Sequence, residues 1–279
     1  MTSPYPAQIE SWRQRRIARL TAPDGWLSVV GLFWLEDGEN SVGSATGSRV
    51  ALPARAPASV GTIRLEAGRA AFRPSAGVSV LVDGKPPAAT AVVLGPDAEG
   101  TPTVVETGGL SFYLIARQDR LAVRVKDPDS EARRAFRGIT SFPIDPSWRI
   151  EARVEQGAAP TPIAIPNVLG KETSEPSPGT LVFERAGKTY RLTPVLEQGE
   201  TDWFVIFADG TNGRETYGAG RFLYVSPAKD GKTVIDFNKA YNPPCVFTDY
   251  ATCPLPPALN RLPIRVEAGE KDYAHGETR

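Results

Sequence analysis

The chain has 279 residues, of which 41% are hydrophobic and 23% charged, values that are ordinary for a globular protein with a large core. Lys+Arg and Asp+Glu both number 32, so no net field attracts the chain to nucleic acid or to an anionic membrane surface. The apolar runs are too short to span a bilayer, and the first residues lack the apolar core of an export signal. We therefore expect a cytoplasmic protein that has neither a nucleic-acid nor a membrane partner.

The chain has one histidine, His275, in a polar segment at its C-terminal end. Ser-His-Asp and Cys-His catalysis require an imidazole that is held beside the nucleophile. Zinc and iron sites built from several histidines are excluded by the count alone. The sequence thus predicts no metal site and no cofactor, and residues 273–279 are expected to form a flexible tail.

Residues 1–24 are predicted to contain an N-terminal amphipathic helix, over residues 5–21, that ends at Pro23-Asp24-Gly25. The residues at helical spacing are Ile9, Trp12, Arg16, Ile17 and Leu20. The arginines are expected to decorate a solvated face of a helix that caps the domain. The alternative is a basic helix that binds a membrane surface or a partner. The arginines are Arg13, Arg15, Arg16 and Arg19.

Residues 25–130 are predicted to form a β-sandwich-like block, because short alternating runs are separated by Gly, Pro, Asp and Asn. Ala67-Gly68 and Asp83-Gly84 are predicted hairpin turns. The order of these elements faintly resembles the forkhead-associated sandwich. Ser44 follows Gly43 where that family has its phosphate-binding arginine, so phosphopeptide binding is not expected. Strands are predicted near residues 26–35, 39–43, 61–66, 69–74, 78–82, 103–107, 110–117 and 120–126.

Residues 131–160 are predicted to connect this block to a β-barrel-like block over residues 161–272, so the expected fold class is all-β. The connection carries three arginines that either hold an anion or lie solvated in a loop. They are Arg133, Arg134 and Arg137. The second block has predicted strands near residues 161–165, 180–185, 188–193, 201–208, 215–225, 232–237 and 262–267.

Two loops of the second block stand out. The loop 166–179 is long enough to act as a lid or a contact surface. Asn212-Gly213 is predicted to be a tight hairpin turn that joins residues 202–208 to residues 215–224.

Polar side chains that can line a ligand pocket accompany the strand near residues 232–237. Ile235 and Phe237 alternate with Asp236 and Asn238, so the polar pair is expected to point away from the core, into solvent or a cavity. The candidate ligand-binding residues are Arg221, Asp236, Asn238, Tyr241, Asn242 and Cys245. The alternative is that the Asp and Asn side chains cap the backbone of the irregular segment that follows.

Three functions remain open at this point. The first is the binding of a small polar or anionic metabolite in a pocket of the C-terminal block, with Arg221 as the anion-binding group. The second is a histidine-independent hydrolase or lyase with Asp236 as general base. The third is a structural or partner-binding module that uses the loop 166–179 and the basic helix. No catalytic residue can be named from the sequence.

The segment 241–257 is too rich in proline and aromatic residues to be a solvated linker. It is expected to lie extended, with Tyr241, Phe247, Tyr250 and Leu255 as buried anchors. Cys245 and Cys253 have the spacing C-x7-C, which matches neither a zinc ribbon nor thioredoxin. Two buried thiols, a disulfide and a reactive thiol are all compatible with this spacing.

Three segments resemble the signatures of one family. They are R-R-A-F-R-G at residues 133–138, D-G-T-N-G-R-E-T-Y-G-A-G-R-F-L at residues 209–223, and D-F-N-K-A-Y-N-P-P-C-V-F-T-D-Y-A-T-C-P-L-P-P at residues 236–257. The chain resembles the DUF1684 family, a domain of unknown function, from Trp26 to Arg265. The resemblance implies a shared fold, and it implies no reaction.

Overall fold

A computed structural model describes residues 3–155 and 159–273. His275 and the predicted tail beyond residue 273 lie outside the described residues. The chain forms two compact units: the inserted unit is Leu20–Phe136, and the split unit combines Met1–Arg19 with Arg137–Arg279. The domain limits that were inferred from the sequence stay predictions. No helix in the described part of the chain is both long and apolar enough to cross a membrane.

The inserted unit consists of two five-stranded sheets, with strand orders β1-β10-β9-β8-β6 and β3-β2-β4-β5-β7. Alternate side chains of both sheets enter one core, where the rings of Phe72 and Phe112 meet edge to face at 5.5 Å. A short helix, α2 (Glu131–Ala135), follows the last strand. The strands are β1 (Val29–Trp34), β2 (Gly38–Gly43), β3 (Val50–Ala51), β4 (Gly61–Glu66), β5 (Arg69–Pro74), β6 (Leu81–Val82), β7 (Val92–Leu94), β8 (Val104–Thr107), β9 (Leu110–Arg117) and β10 (Arg120–Lys126).

The split unit begins with helix α1 (Tyr5–Leu20) and continues after the inserted unit as a four-stranded sheet, β15-β14-β11-β18, and two two-stranded ribbons, β12-β13 and β16-β17. Phe237 lies at the centre of its core, 5.6–5.7 Å from the rings of Trp148, Phe183 and Phe207. The strands are β11 (Arg149–Glu155), β12 (Thr161–Pro166), β13 (Glu172–Ser177), β14 (Thr180–Arg185), β15 (Lys188–Leu192), β16 (Trp203–Phe207), β17 (Arg221–Val225) and β18 (Lys232–Asp236).

The fold is mostly β with an N-terminal helix, as the sequence indicates. Over the described residues the sheets are open, so the barrel-like closure of the second block is not found. The predicted loop 166–179 is largely a hairpin, because β12 pairs antiparallel with β13 from Thr161↔Ser177 to Pro166↔Glu172. The prediction of a loop was wrong because Pro162, Pro166 and Pro176 suggest irregular backbone, whereas a two-stranded ribbon tolerates proline on its edges.

Two of the three hairpin turns predicted from the sequence are found in the structure. Ala67 and Asp83 have φ of 49°, and the glycine after each has φ of 74°, which is the type I′ geometry that was expected. Asn212-Gly213 was the wrong choice, since β16 and β17 pair from Phe207↔Arg221 and are joined by residues 208–220. The side chain of Asn212 instead donates to the carbonyl oxygen of Tyr217 at 2.6 Å and helps to close this longer loop.

The segment 241–257 contacts the body of the split unit through some of the expected anchors. Phe247 is buried, whereas Tyr250 is 39% exposed and is not an anchor. Cys253 is buried, but Cys245 is only half-buried. Of the alternatives that the spacing left open, a buried thiol therefore describes Cys253 and does not describe Cys245.

Gly220 provides a test of the close packing around this segment. Its φ is 98°, and an added Cβ would lie 2.6 Å from the carbonyl oxygen of Phe207 and against Pro256. We expect Gly220→Ala to lower the free energy of unfolding by about 2 kcal/mol or more. Gly218→Ala is the matched control, because its Cβ would meet nothing closer than 3.8 Å and it changes stability by less than ~1 kcal/mol. Urea unfolding measures both, and equal effects would contradict the packing described.

Candidate functional site

Arg221 lies at the start of β17 and is fully buried. Its guanidinium donates to Asp209 at 2.8 Å, in an ion pair whose two side chains are both 0% exposed. It also donates to the carbonyl oxygens of Val266, Ala268 and Glu270. Burial lowers the pKa of Arg221, and the charge of Asp209 acts in the opposite direction. The arginine therefore fixes the backbone of residues 266–270, and its predicted role in binding a ligand stays a prediction.

Several side chains of the glycine-rich segment 209–221 are arranged around the carboxylate of Asp209. One oxygen of Asp209 binds Arg221, and the other accepts from the amide and the hydroxyl of Thr211, at 2.8 and 2.7 Å. The hydroxyl of Thr211 also lies 2.8 Å from that of Thr216. The loop thus closes around a carboxylate whose hydrogen-bonding capacity is used internally, as a buried charge requires.

Asp236 and Asn238 form a second buried network, with helix α1. Oδ1 of Asp236 accepts from the hydroxyl of Tyr5 at 2.7 Å and from the amide of Asn238 at 3.3 Å. The side chain of Asn238, 0% exposed, donates to Tyr5 and to the carbonyl oxygen of Asp145, both at 2.9 Å. Burial, and then the carboxylate of Asp236, raise the pKa of Tyr5.

This arrangement differs from the expectation that Asp236 and Asn238 face solvent or a cavity. Strand alternation stops at Asp236, because Phe237–Lys239 is a 3-10 helix that the Asp236 side chain caps. Helix α1 covers the side of the strand that was expected to be open. The ligand-binding role of these residues stays a prediction, and the capping alternative agrees with the contacts.

Glu270 joins helix α1 to the segment that follows residue 240. Its carboxylate accepts from the amide of Asn242 at 2.7 Å and from Nε of Arg16 at 3.2 Å, and Arg16 also donates to the carbonyl oxygen of Asn242 at 2.9 Å. Burial raises the pKa of Glu270, and the charge of Arg16 acts against this rise. Asn242 is fully buried; its Nδ2 donates to Lys271, and its Oδ1 accepts no hydrogen bond from the described residues.

The expectation that all four helix arginines are solvated was wrong for two of them. The side chain of Arg16 is 15% exposed and that of Arg13 is 19% exposed, and Arg13 donates to the carbonyl oxygen of Phe142 at 2.9 Å. Arg15 and Arg19 are exposed. A guanidinium at the edge of an apolar helix face reaches carbonyl and carboxylate groups that the sequence does not reveal.

Three aromatic side chains, Trp12, Tyr224 and Tyr241, form a partly exposed surface that we call the aromatic shelf. The rings of Tyr224 and Tyr241 are nearly parallel, 13° apart, with centroids at 6.2 Å, and Trp12 lies 6.4 Å from Tyr241. Arg16 stacks on Tyr241 with its Cζ 4.8 Å from the ring centroid. Tyr224, 38% exposed, donates to Oε2 of Glu197 at 2.6 Å.

The pKa values of two shelf residues and of the neighbouring Glu197 are shifted by their low-dielectric surroundings. Burial is the main cause that raises the pKa of Glu197, Tyr224 and Tyr241. The neutral forms of one carboxyl group and two phenols are therefore favoured next to a guanidinium. Functional sites often contain such clusters of groups with shifted pKa values.

Of the six predicted residues, the structure brings Tyr241 and Asn242 together with Arg16 and Glu270, and it places Asp236 and Asn238 in the separate Tyr5 network. Arg221 is linked to Glu270 by a hydrogen bond to the carbonyl oxygen of Glu270. Cys245 contacts Cys253, because its amide donates to Sγ of that residue at 3.2 Å. Within the described ranges, no three His, Cys, Asp or Glu side chains form a group that can hold a metal ion.

A cleft of about 840 Å³ lies in the inserted unit, whereas the pocket predicted in the C-terminal block stays a prediction. Its floor is the outer face of β8, β9 and β10, and presents Glu106, Ser111, Tyr113 and Lys126. Its walls carry Asp24, Asp83 and Asp97. Sequence patterns do not reveal this cleft, because polar residues on the outer face of a strand are typical of any solvated sheet.

The Arg221–Asp209 pair can be tested by removing one partner. Arg221→Met leaves Asp209 buried without its cation and should lower the free energy of unfolding by about 3–5 kcal/mol. Arg265→Met is the control, since Arg265 is 42% exposed and pairs with Glu215 and Glu267 at the surface, where a loss below about 1 kcal/mol is expected. Chemical denaturation compares the two variants. A small effect of Arg221→Met would disprove the structural role assigned to this residue.

Glu197 provides a test by pH. Because burial raises the pKa of its carboxyl, the folded protein binds this proton more tightly than the unfolded chain does. The stabilisation is present below the unfolded pKa of about 4.3 and is lost as the pH rises through the folded pKa. The free energy of unfolding of the wild type, relative to Glu197→Gln, should therefore fall as the pH increases over that window. A difference that is independent of pH in urea titrations would contradict this assignment.

The comparisons with known proteins agree with the C-terminal motifs. The family model described as "Protein of unknown function (DUF1684)" matches residues 134–271. A search of curated proteins found no match. The chain is similar to the solution NMR structure of an uncharacterized protein of Haloarcula marismortui, with 31% identity and a TM-score of 0.43 over 52% of this chain and 81% of that one. Through residues 134–271, the chain belongs to the DUF1684 family of proteins of unknown function.

Proposed function

We propose that the protein binds a small polar metabolite in the split unit, at the aromatic shelf. The observation that carries this proposal is the grouping of Trp12, Tyr224 and Tyr241 between a guanidinium and a carboxyl group, with Tyr224 38% exposed. Aromatic rings provide apolar contact area, and a few fixed polar groups provide orientation, which is the usual composition of small-molecule sites.

The polar ends of the shelf suggest the class of ligand. Glu197 and Tyr224 form a donor–acceptor pair suited to hydroxyl or amide groups. Arg16, which stacks on Tyr241, favours an anionic or carbonyl group. A ligand with an apolar face and polar groups at two edges fits both ends, in line with the polar or anionic metabolite that the sequence suggested.

In this proposal the predicted ligand-binding residues have different roles. Tyr241 contacts the ligand, whereas Asn242 holds Arg16 and Glu270 beneath the shelf. Arg221 fixes the backbone of residues 266–270, from which Glu270 projects. Preorganised sites need such a supporting layer, because a loosely held side chain costs binding free energy when it is ordered.

The hydrolase or lyase alternative, with Asp236 as general base, has less support. Asp236 is 7% exposed, and its Oδ1 already accepts the hydroxyl proton of Tyr5. A substrate would have to displace Tyr5 to reach this oxygen within hydrogen-bond distance. Acid–base chemistry at the shelf would more readily use Glu197 and Tyr224, which are nearer the surface.

The cleft of the inserted unit is a second candidate, favoured by its volume of about 840 Å³. Its lining includes four carboxylates and Lys126, and Arg117 neutralises Asp97 through contacts of 2.9 and 3.0 Å. The remaining charge favours a small cation, whereas the shelf favours a neutral or anionic ligand. The charge of a confirmed ligand therefore distinguishes the two sites.

We test these sites by thermal-shift screening with sugars, carboxylic acids, amino acids and amines, followed by calorimetric titration of the hits. For a ligand of the shelf, Tyr224→Ala should weaken binding about tenfold or more, since it removes an aromatic contact of 1–2 kcal/mol or larger. Arg15→Ala, an exposed position on the same helix, should leave the affinity unchanged.

Glu106→Gln separates the cleft from the shelf, because Glu106 lies on the cleft floor. A hit that weakens with Glu106→Gln and not with Tyr224→Ala assigns binding to the cleft. If no compound stabilises the protein, the structural or partner-binding module becomes the favoured function.

A further inference from the structure

We propose that Cys245 and Cys253 are a redox modification site: they form a reversible intramolecular disulfide by exchange with a low-molecular-weight disulfide. This inference is independent of ligand binding at the aromatic shelf. It rests on the contact between the two residues, on their unequal exposure and on the hydrogen bond that links them.

The two cysteines are adjacent although seven residues separate them in the chain. The amide nitrogen of Cys245 lies 3.2 Å from Sγ of Cys253. Because Sγ of Cys245 is only three bonds from its own amide nitrogen, rotation about its Cα–Cβ bond moves the two sulfur atoms relative to each other without a change in the backbone. The 3-10 helix Pro244–Val246 presents Cys245 at this position.

The two thiols differ in exposure, and this difference suits them to different steps of the exchange. Cys245 is half-buried, whereas Cys253 is 5% exposed, so we expect a small reagent to reach Cys245 first. An accessible thiol beside a buried one is suited to a two-step exchange, in which the first reacts with the reagent and the second resolves the mixed disulfide.

The hydrogen bond from the Cys245 amide favours the second step. A donor aimed at Sγ stabilises the thiolate of Cys253, which is the form that attacks a disulfide. Burial is the main cause that raises the pKa of the Tyr217 phenol, and charge on Cys245 or Cys253 acts in the same direction. The phenol therefore stays neutral beside the thiolate and adds no competing charge.

The reaction balances with a small disulfide, RSSR, as the oxidant. The thiolate of Cys245 attacks one sulfur of RSSR, the Cys245–SR mixed disulfide forms, and RS⁻ leaves and takes a proton to give RSH. The thiolate of Cys253 then attacks Sγ of Cys245, the Cys245–Cys253 bond forms, and a second RSH leaves. Two protein thiols are oxidised and one small disulfide is reduced to two thiols.

The experiment treats the folded, full-length protein with oxidised glutathione and follows its intact mass over time. We expect the wild type to lose two hydrogens without a lasting adduct and to stay monomeric on a non-reducing gel. Cys253→Ser should accumulate one glutathione adduct, because it has no resolving thiol. Cys245→Ser should react at least about tenfold more slowly, because its one thiol is buried.

Alanine variants at the same two positions, with thermal unfolding curves for all variants, ensure that a slow reaction reflects burial and not misfolding. Denaturing Cys245→Ser in urea should restore its reactivity. The proposal is overturned if the wild type retains the glutathione adduct, if it forms intermolecular dimers, or if Cys245→Ser and Cys253→Ser react at equal rates.

Discussion

The split unit depends on one buried charge pair. Arg221 and Asp209 exclude water completely, and the arginine compensates its desolvation with three main-chain oxygens as well as the carboxylate. Those oxygens belong to residues 266–270, a segment that lies outside the named strands and helices. The pair therefore helps to hold a length of irregular chain in place, and Glu270 at the end of that chain meets Arg16 and Asn242.

The family-like motifs are mainly structural in this chain. The segment 209–221 surrounds the carboxylate of Asp209, and the segment that begins at Asp236 satisfies its own backbone through Asp236 and Asn238. The surface groups with shifted titration, Glu197 and Tyr224, lie outside or at the edge of those motifs. In the proposed site, Tyr241 is the motif residue that contacts the ligand, while Glu197 and Tyr224 lie beside the motifs that form the scaffold.

The sequence predicts local geometry well where one residue determines it. The hairpin turn predicted at Ala67-Gly68 is found, because few residues other than glycine readily adopt a positive φ. The alternation in β18 correctly assigns Ile235 to the core face and Asp236 to the opposite face. Alternation cannot tell whether the second face is covered, and here helix α1 covers it. The helix itself carried a usable signal, since Tyr5, Trp12 and Arg16 share a face with Ile9. No sequence pattern indicates the role of Glu270, because the residues that contact it are distant in the chain.

The split unit is assembled from the two ends of the chain, and this has a consequence for biosynthesis. Tyr5 bonds Asp236 and Arg16 bonds Glu270, across 231 and 254 residues. At roughly 5–20 residues per second, a ribosome would deliver these partners on the order of ten to fifty seconds after the helix emerges. A 16-residue helix is marginal alone in water. During that interval the apolar face of the helix lacks the partners that cover it, whereas the inserted unit, whose chain is contiguous, already has all of its residues.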